Sequence, residues 1–213
     1  MTINKEIAKL HFITSDNAHV THAEQAIRAY IGGCRWVQLR MKDVSEEVII
    51  EEVLKIMPVA NSYNGILLIN DNPHIALKTN AHGVHLGKND MSPAEARQIL
   101  GDKFIIGGTS NTLEDIVALI KEGVDYIGLG PFRFTTTKKK LSPILGLEGY
   151  QRILSALRDR NLHIPVIAIG GIMESDVESL KLTGIHGIAL AGAIVAENNI
   201  ETNTQQYQQL INL

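Results

Sequence analysis

The chain has only one cysteine in 213 residues, a net charge of only −3, and no long apolar stretch. Cys34 alone excludes an intramolecular disulfide and any multi-thiolate metal site, and fits a reducing compartment. Standing just before an apolar run, it reads as a small core residue rather than a nucleophile. The slight acidic balance argues against general nucleic-acid binding, which leaves a basic footprint. No apolar run reaches the roughly 18 residues needed to span a membrane. Met1 to Lys9 mix charges with isolated apolar residues and lack the apolar centre of a signal peptide. Linkers and low-complexity blocks are missing too. Residues 1–213 therefore read as one domain of a cytoplasmic protein, without a nucleic-acid or membrane partner and with homo-oligomer formation left open.

What is present is an ordinary globular composition, 45% hydrophobic and 20% charged, set out as an alternation. Short β-prone runs stand at Leu10–Thr14, Arg35–Arg40, Ile66–Ile69, Gly83–Leu86, Phe104–Ile106, Asp125–Gly130, Pro165–Ile169 and Ile188–Leu190. Helical patterns fall between them. Thr21 caps one that reaches Ile31. Ser45 opens another, with Val48, Ile49, Val53, Leu54, Ile56 and Met57 as its apolar face. Others span Pro73–Asn80, Pro93–Gly101, Thr112–Glu122, Leu147–Arg160 and Ser175–Leu182, and Gly192 starts a final one that the tail from Glu201 extends. Eight such repeats predict an α/β fold with a parallel sheet, closed as a (β/α)₈ TIM barrel in preference to a doubly wound open sheet.

In a barrel of this kind function sits in the loops after the strands, and the unusual polar residues gather there. Gln38, Arg40 and Lys42 alternate along the second strand and share one face. Arg offers a planar fork to phosphate oxygens and Lys a point charge. Asn70-Asp71 follows the third strand and Gly87-Lys88-Asn89-Asp90 the fourth. Asp71 and Asp90 each suit a helix cap or turn, since Asp71 precedes Pro73 and Asp90 precedes Ser92-Pro93. Taken together beside a cationic strand end, they suit Mg²⁺, which takes one or two carboxylates plus water and phosphate oxygens. His82 and His85 look like a metal pair, but an offset of three in a strand sends them to opposite faces. Trp36 and the remaining histidines show no chemical pattern. Gly107-Gly108-Thr109-Ser110-Asn111 reads as a small loop after the fifth strand. Pro131 ends the sixth strand, and a loop of three threonines and three lysines follows, suited to a multiply charged anion. Gly170-Gly171 and Ala191-Gly192 stand where this architecture cradles phosphate on backbone N–H groups. Two anion sites emerge. One combines Arg40, Lys42, Asn70, Lys138 and a metal on Asp71 and Asp90; the other combines Gly171, Gly192 and the threonine loop.

Several segments together resemble thiamin-phosphate synthases: Val37-Gln38-Leu39-Arg40-x-Lys42, Ile69-Asn70-Asp71, Gly83-Val84-His85-Leu86-Gly87-x-x-Asp90, Tyr126-Ile127-Gly128-x-Gly130-Pro131, Thr135-x-Thr137-Lys138-Lys139 and Ala168-Ile169-Gly170-Gly171-Ile172. The resemblance implies a (β/α)₈ enzyme that joins a hydroxymethylpyrimidine diphosphate to a thiazole phosphate, with Mg²⁺, releasing diphosphate first. By position it implies that Gln38, Arg40, Lys42, Asn70 and Lys138 hold the pyrimidine diphosphate, with Arg40, Lys42 and Lys138 catalytic. It assigns Mg²⁺ to Asp71 and Asp90, and the thiazole phosphate to Thr135, Thr137, Gly171, Ala191 and Gly192. Leu39, Met41, Thr109 and Thr136 complete the substrate-binding set. The chain departs from the family pattern in four places. Thr109 stands where Ser is usual, Thr136 where Pro is frequent, and Gly192 where Ser is found. Phe132-Arg133-Phe134 is an unusual run, with Arg133 expected to face solvent. A thiazole tautomerase of the same fold, or a non-catalytic thiazole-phosphate sensor, is the alternative. Neither needs Arg40, Lys42, Asp71, Asp90 and Lys138 as a set.

Overall fold

The structure is a computed structural model that describes residues 5–16, 18–134 and 143–213. Eight strands close a barrel in sequence order, every pairing parallel: β1 (Leu10–Ile13), β2 (Trp36–Leu39), β3 (Ile66–Asn70), β4 (Gly83–Leu86), β5 (Ile105–Ser110), β6 (Tyr126–Leu129), β7 (Val166–Ile169) and β8 (Gly187–Leu190). The seam is β1 on β8, with Leu10 opposite Ile188 and Phe12 opposite Leu190. Among the described residues, seven helices cross between consecutive strands: α1 (His22–Ile31), α2 (Glu46–Ser62), α3 (Pro73–Thr79), α4 (Pro93–Leu100), α5 (Leu113–Lys121), α6 (Gly146–Asp159) and α7 (Glu174–Leu182). The short α8 (Gly192–Val195) and the terminal α9 (Ile200–Asn212) follow β8.

Both faces of a parallel sheet are covered, so β1, β2, β6 and β8 are buried at every position. Two cores result. The larger lies between strands and helices and takes Phe12, Val37, Leu39, Leu67, Ile69, Val84 and Ile127 with the inner faces of the helices. The smaller fills the barrel with Ile13, Trp36, Leu68, Ile105, Tyr126, Ile167 and Ala189. The period-2 alternation thus places Trp36 and Gln38 inward and Val37 and Leu39 outward. Cys34 is fully buried, its thiol donates to the Trp36 carbonyl at 3.1 Å, and burial pushes its pKa up to about 11. It is a core residue, as its position suggests.

Three local features depart from the sequence expectation. β5 does not stop at Ile106: Gly107, Gly108, Thr109 and Ser110 stay in register against Tyr126, Ile127, Gly128 and Leu129. Glycines and hydroxyls read as a loop, yet here the glycines clear space for rings inside the barrel. The apolar face of α2 is narrower than its composition suggests, with Leu54 at 61% exposure and Val48 at 41%. The helix begun at Gly192 lasts four residues before Glu197 turns left-handed (φ 52°) and α9 restarts.

Candidate active site

The helices after β3 and β4 are capped by residues other than Asp71 and Asp90. The Asn72 side chain accepts the Ile75 N–H to start α3. Ser92 and Glu95 form a reciprocal cap on α4. Asp71 and Asp90, the two candidate capping carboxylates, are therefore left for other work.

They meet over the C-terminal ends of β3 and β4. Asp71 sits in the left-handed region (φ 67°) and its N–H donates to the His85 carbonyl at 2.9 Å. The carboxylate of Asp90 accepts the Gly87 N–H at 2.7 Å. The two carboxyl groups lie within reach of one another, and the Lys42 ammonium donates to Asp71. Burial raises both carboxyls. For Asp71 the bonds from Asp90 and Lys42 and the nearby positive charge outweigh burial and hold it below the usual range. For Asp90 burial and the bond to Asp71 push it above that range. Two carboxyls brought this close concentrate negative charge and oxygen donors at one point, which a hard cation can neutralise. The donor set is all oxygen and fits Mg²⁺ in chemistry. Among the described residues no cluster of three or more His, Cys, Asp or Glu stands as a fuller cage.

A cleft of about 780 Å³ opens here, lined by Ile13, Gln38, Arg40, Lys42, Asn70, Asp71, His85, Asp90, Thr109, Gly128 and Ile169, with Asp16, Asp43 and Gly87 to Asn89 at its rim. The alternation on β2 delivers Gln38, Arg40 and Lys42 to one side, progressively more exposed from the buried amide to the solvated ammonium. Leu39 and Met41 do not share that face: Leu39 is buried in the outer core and Met41 packs against it. Any contribution from these two to a ligand is through backbone, unlike that expected of Gln38 and Arg40. Thr109 sits inward on β5, its Oγ1 2.9 Å from His85 Nε2.

The glycines expected to form a second anion site lie beside this cleft, at the ends of β7 and β8. Ile169, which lines the cleft, leads into Gly170 (φ 100°) and Gly171 (φ 67°). A Cβ on Gly170 would lie 2.7 Å from Pro131, and one on Gly171 2.8 Å from the Phe134 carbonyl, so both positions demand glycine. Ala191 and Gly192 open α8 on the neighbouring strand end, with open space around Gly192. Thr135, Thr136, Thr137 and Lys138 lie outside the described residues.

Arg133 remains partly exposed, as expected, but it is also engaged. Its guanidinium binds both oxygens of Asp176, at 2.8 and 2.9 Å, and the Gly171 carbonyl at 2.9 Å. His82 and His85 part company as the offset predicts: His82 Nδ1 accepts the Leu67 N–H at 3.0 Å and lies at the other mouth of the barrel. That mouth holds a groove of about 1320 Å³, but two of its cations are already engaged, Lys5 by Asp125 and Arg35 by the Tyr30 carbonyl. Sequence reasoning passed over His85, Tyr126 and Trp36, which form one contiguous group inside the barrel. The available signal was the alternation of β4, which turns His85 inward with the cleft.

Residues 10–194 match the model of the thiamine monophosphate synthase family. A thiamine-phosphate synthase of Bacteroides thetaiotaomicron is 47% identical over 94% of this chain and 96% of its own length. One from Flavobacterium psychrophilum is 43% identical over 95% of the chain and 98% of its own. Among solved structures, a thiamine phosphate pyrophosphorylase from Pyrococcus furiosus superposes with a TM-score of 0.85 at 28% identity, covering 96% of this chain and 95% of that one. The closed barrel and the extent of these matches lead to one assignment: the chain belongs to the thiamine monophosphate synthase family.

Proposed function

We propose that this chain is a transferase that joins a hydroxymethylpyrimidine diphosphate to a thiazole phosphate, giving thiamine phosphate and diphosphate. The observation that carries the reading is the Asp71–Asp90 carboxyl pair set beside Lys42 and Arg40 in one cleft. A protein that only bound a monophosphate has no use for a cation site next to two further positive charges.

In this reading Gln38 and Thr109 face the pyrimidine ring, and Arg40, Lys42 and Asn70 face its diphosphate. Asp71 and Asp90 would hold Mg²⁺, which would supply positive charge to stabilise the departing diphosphate. The bond between the pyrimidine methylene carbon and the diphosphate oxygen breaks with its electron pair going to the oxygen. Arg40 and Lys42, with Lys138, stabilise the charge that develops there. The thiazole nitrogen then gives its own lone pair to the carbon, so no general base is required. Gly171, Ala191 and Gly192, with the threonine loop, hold the thiazole phosphate through backbone N–H groups and bring the nitrogen within reach.

The test is diphosphate release by the purified protein with both substrates and Mg²⁺, repeated with each component left out. Release matched by thiamine phosphate, and dependent on all three, is the expected result. Binding of the thiazole phosphate without turnover would overturn the reading in favour of a sensor.

A further inference from the structure

The floor of the cleft is a chain of side chains with a direction. His85 Nδ1 lies 2.8 Å from the Tyr126 hydroxyl, and His85 Nε2 lies 2.9 Å from Thr109 Oγ1. Behind Tyr126, the indole of Trp36 stands edge-on at 5.6 Å and stacks in turn on His11 at 4.5 Å. Two glycines make the seat. A Cβ on Gly107 would lie 2.2 Å from the Tyr126 ring, and one on Gly128 3.0 Å from the His85 ring. Two strand positions facing the barrel interior are thus given over to holding these two rings in one place.

The direction follows from proton counting. Burial raises the Tyr126 pKa far above its ordinary value, so the phenol keeps its single proton. Trp36 and Gln38 approach the same oxygen. The indole Nε1, buried without a hydrogen-bond partner, can only donate and so takes no proton from the phenol. The Tyr126 proton is then available to His85 Nδ1. A neutral imidazole that accepts at Nδ1 carries its proton on Nε2. That N–H donates to Thr109 Oγ1, so the threonine's own proton must point elsewhere, and the cleft is where Thr109 opens. Threonine on a strand is stiff at χ1, which keeps the hydroxyl on this line.

We propose that His85 is a positioning residue: fixed by Tyr126 in its Nε2–H tautomer, it turns the Thr109 hydroxyl into a hydrogen-bond donor toward an acceptor nitrogen of the substrate ring. The opposite tautomer would make Thr109 donate to His85 and show the ligand only lone pairs. The relay therefore sets whether the cleft floor reads an acceptor or a donor on a heteroaromatic ring. This rests on the synthase reading for the identity of the ring, but the tautomer itself does not.

Two measurements test it. In protein labelled with ¹⁵N-histidine, the ring nitrogens of His85, assigned by their loss in His85→Gln, should show the Nε2–H form at neutral pH. In Tyr126→Phe they should move toward the other tautomer. A wild-type ring in the Nδ1–H or imidazolium form overturns the proposal whatever the enzyme does. In steady-state kinetics, Tyr126→Phe and His85→Leu should lower kcat/KM for the pyrimidine diphosphate roughly tenfold, the scale of one lost hydrogen bond. The KM for the thiazole phosphate should stay the same. His85→Gln can place an amide N–H where Nε2 stands, so it should recover most of the loss seen in His85→Leu. Equal losses in the two His85 variants at unchanged melting temperature, or no loss in Tyr126→Phe, overturn the relay. Failure of the wild type to turn over at all would sink the synthase reading instead, and the ring nitrogens would still decide the tautomer.

Discussion

Arg133 and Asp176 face one another fork to fork, Nη1 to Oδ2 at 2.8 Å and Nη2 to Oδ1 at 2.9 Å. Because Nη1 also holds the Gly171 carbonyl, and Asp176 accepts the Met173 N–H at 2.8 Å, the pair ties the segment after β6 to the loop after β7. It braces the glycine proposed to meet the thiazole phosphate. Arg133→Ala should raise the KM for that substrate about fivefold, as loss of about 1 kcal/mol of positioning implies, and leave the pyrimidine diphosphate nearly unaffected. Steady-state kinetics with each substrate varied in turn checks the split.

The same pair predicts a pH dependence of stability. Burial opposes ionisation of Asp176, but the Arg133 bond and the Met173 N–H outweigh it and hold the carboxyl below its usual range. A carboxyl depressed in the folded state stabilises the fold above its unfolded pKa. That contribution is lost as pH falls through the folded value. Wild-type unfolding free energy should therefore drop below about pH 4, and Asp176→Asn should lessen the drop. The difference should be about 1 kcal/mol or less, since the guanidinium is partly solvated. Denaturant titrations across the acid range measure it.

At the carboxyl pair, Asp71→Asn and Asp90→Asn should each lower turnover roughly 100-fold, on the scale of losing one transition-state electrostatic contact. Both should also abolish the rise in melting temperature that Mg²⁺ gives the wild type by binding the folded state. Thermal unfolding with and without Mg²⁺ separates a lost metal from a lost fold. Arg40→Ala and Lys138→Ala should lower turnover on a similar scale while keeping the Mg²⁺ shift.

Glycines at the mouth and in the barrel should respond in opposite ways. Gly107→Ala pushes a methyl into the rigid Tyr126 ring and should cost about 2 kcal/mol or more. Gly192→Ala meets nothing within 4 Å and should stay within about 0.5 kcal/mol of wild type. Denaturant unfolding of both variants makes the comparison.

The barrel was legible because its signals are local. Most strands are short apolar runs, and Pro73, Pro93 and Thr112 each announce a helix start from the residue itself. The β2 cations and the Asp71–Asp90 pair were legible for the same reason, since alternation and a fold-wide rule about strand ends suffice. What escaped needed partners far along the chain. Arg133 finds Asp176 across the β6–β7 boundary, and nothing beside it in sequence says so. Thr109 and its glycines look like a loop until Tyr126 and His85, on other strands, explain why small residues are needed in β5. The outer face of Leu39 and Met41 was readable from alternation, but a contiguous motif drew them in with their neighbours.

The pairing of Leu10 with Ile188 has a kinetic meaning. The first strand made finds its second neighbour only in the last, so ring closure is the contact of greatest sequence separation in the sheet. Until β8 emerges, β1 and β7 each present an unpaired edge, and α1 lacks the cover that α9 later gives it. Arg28 in α1 waits for Glu201 in α9 in the same way, at 2.8 Å in the finished fold. Such long-range closure slows folding and leaves half-made chains open to pairing with one another. A substitution that weakens the β1–β8 seam should therefore lower yield during synthesis before it alters turnover in the folded molecule.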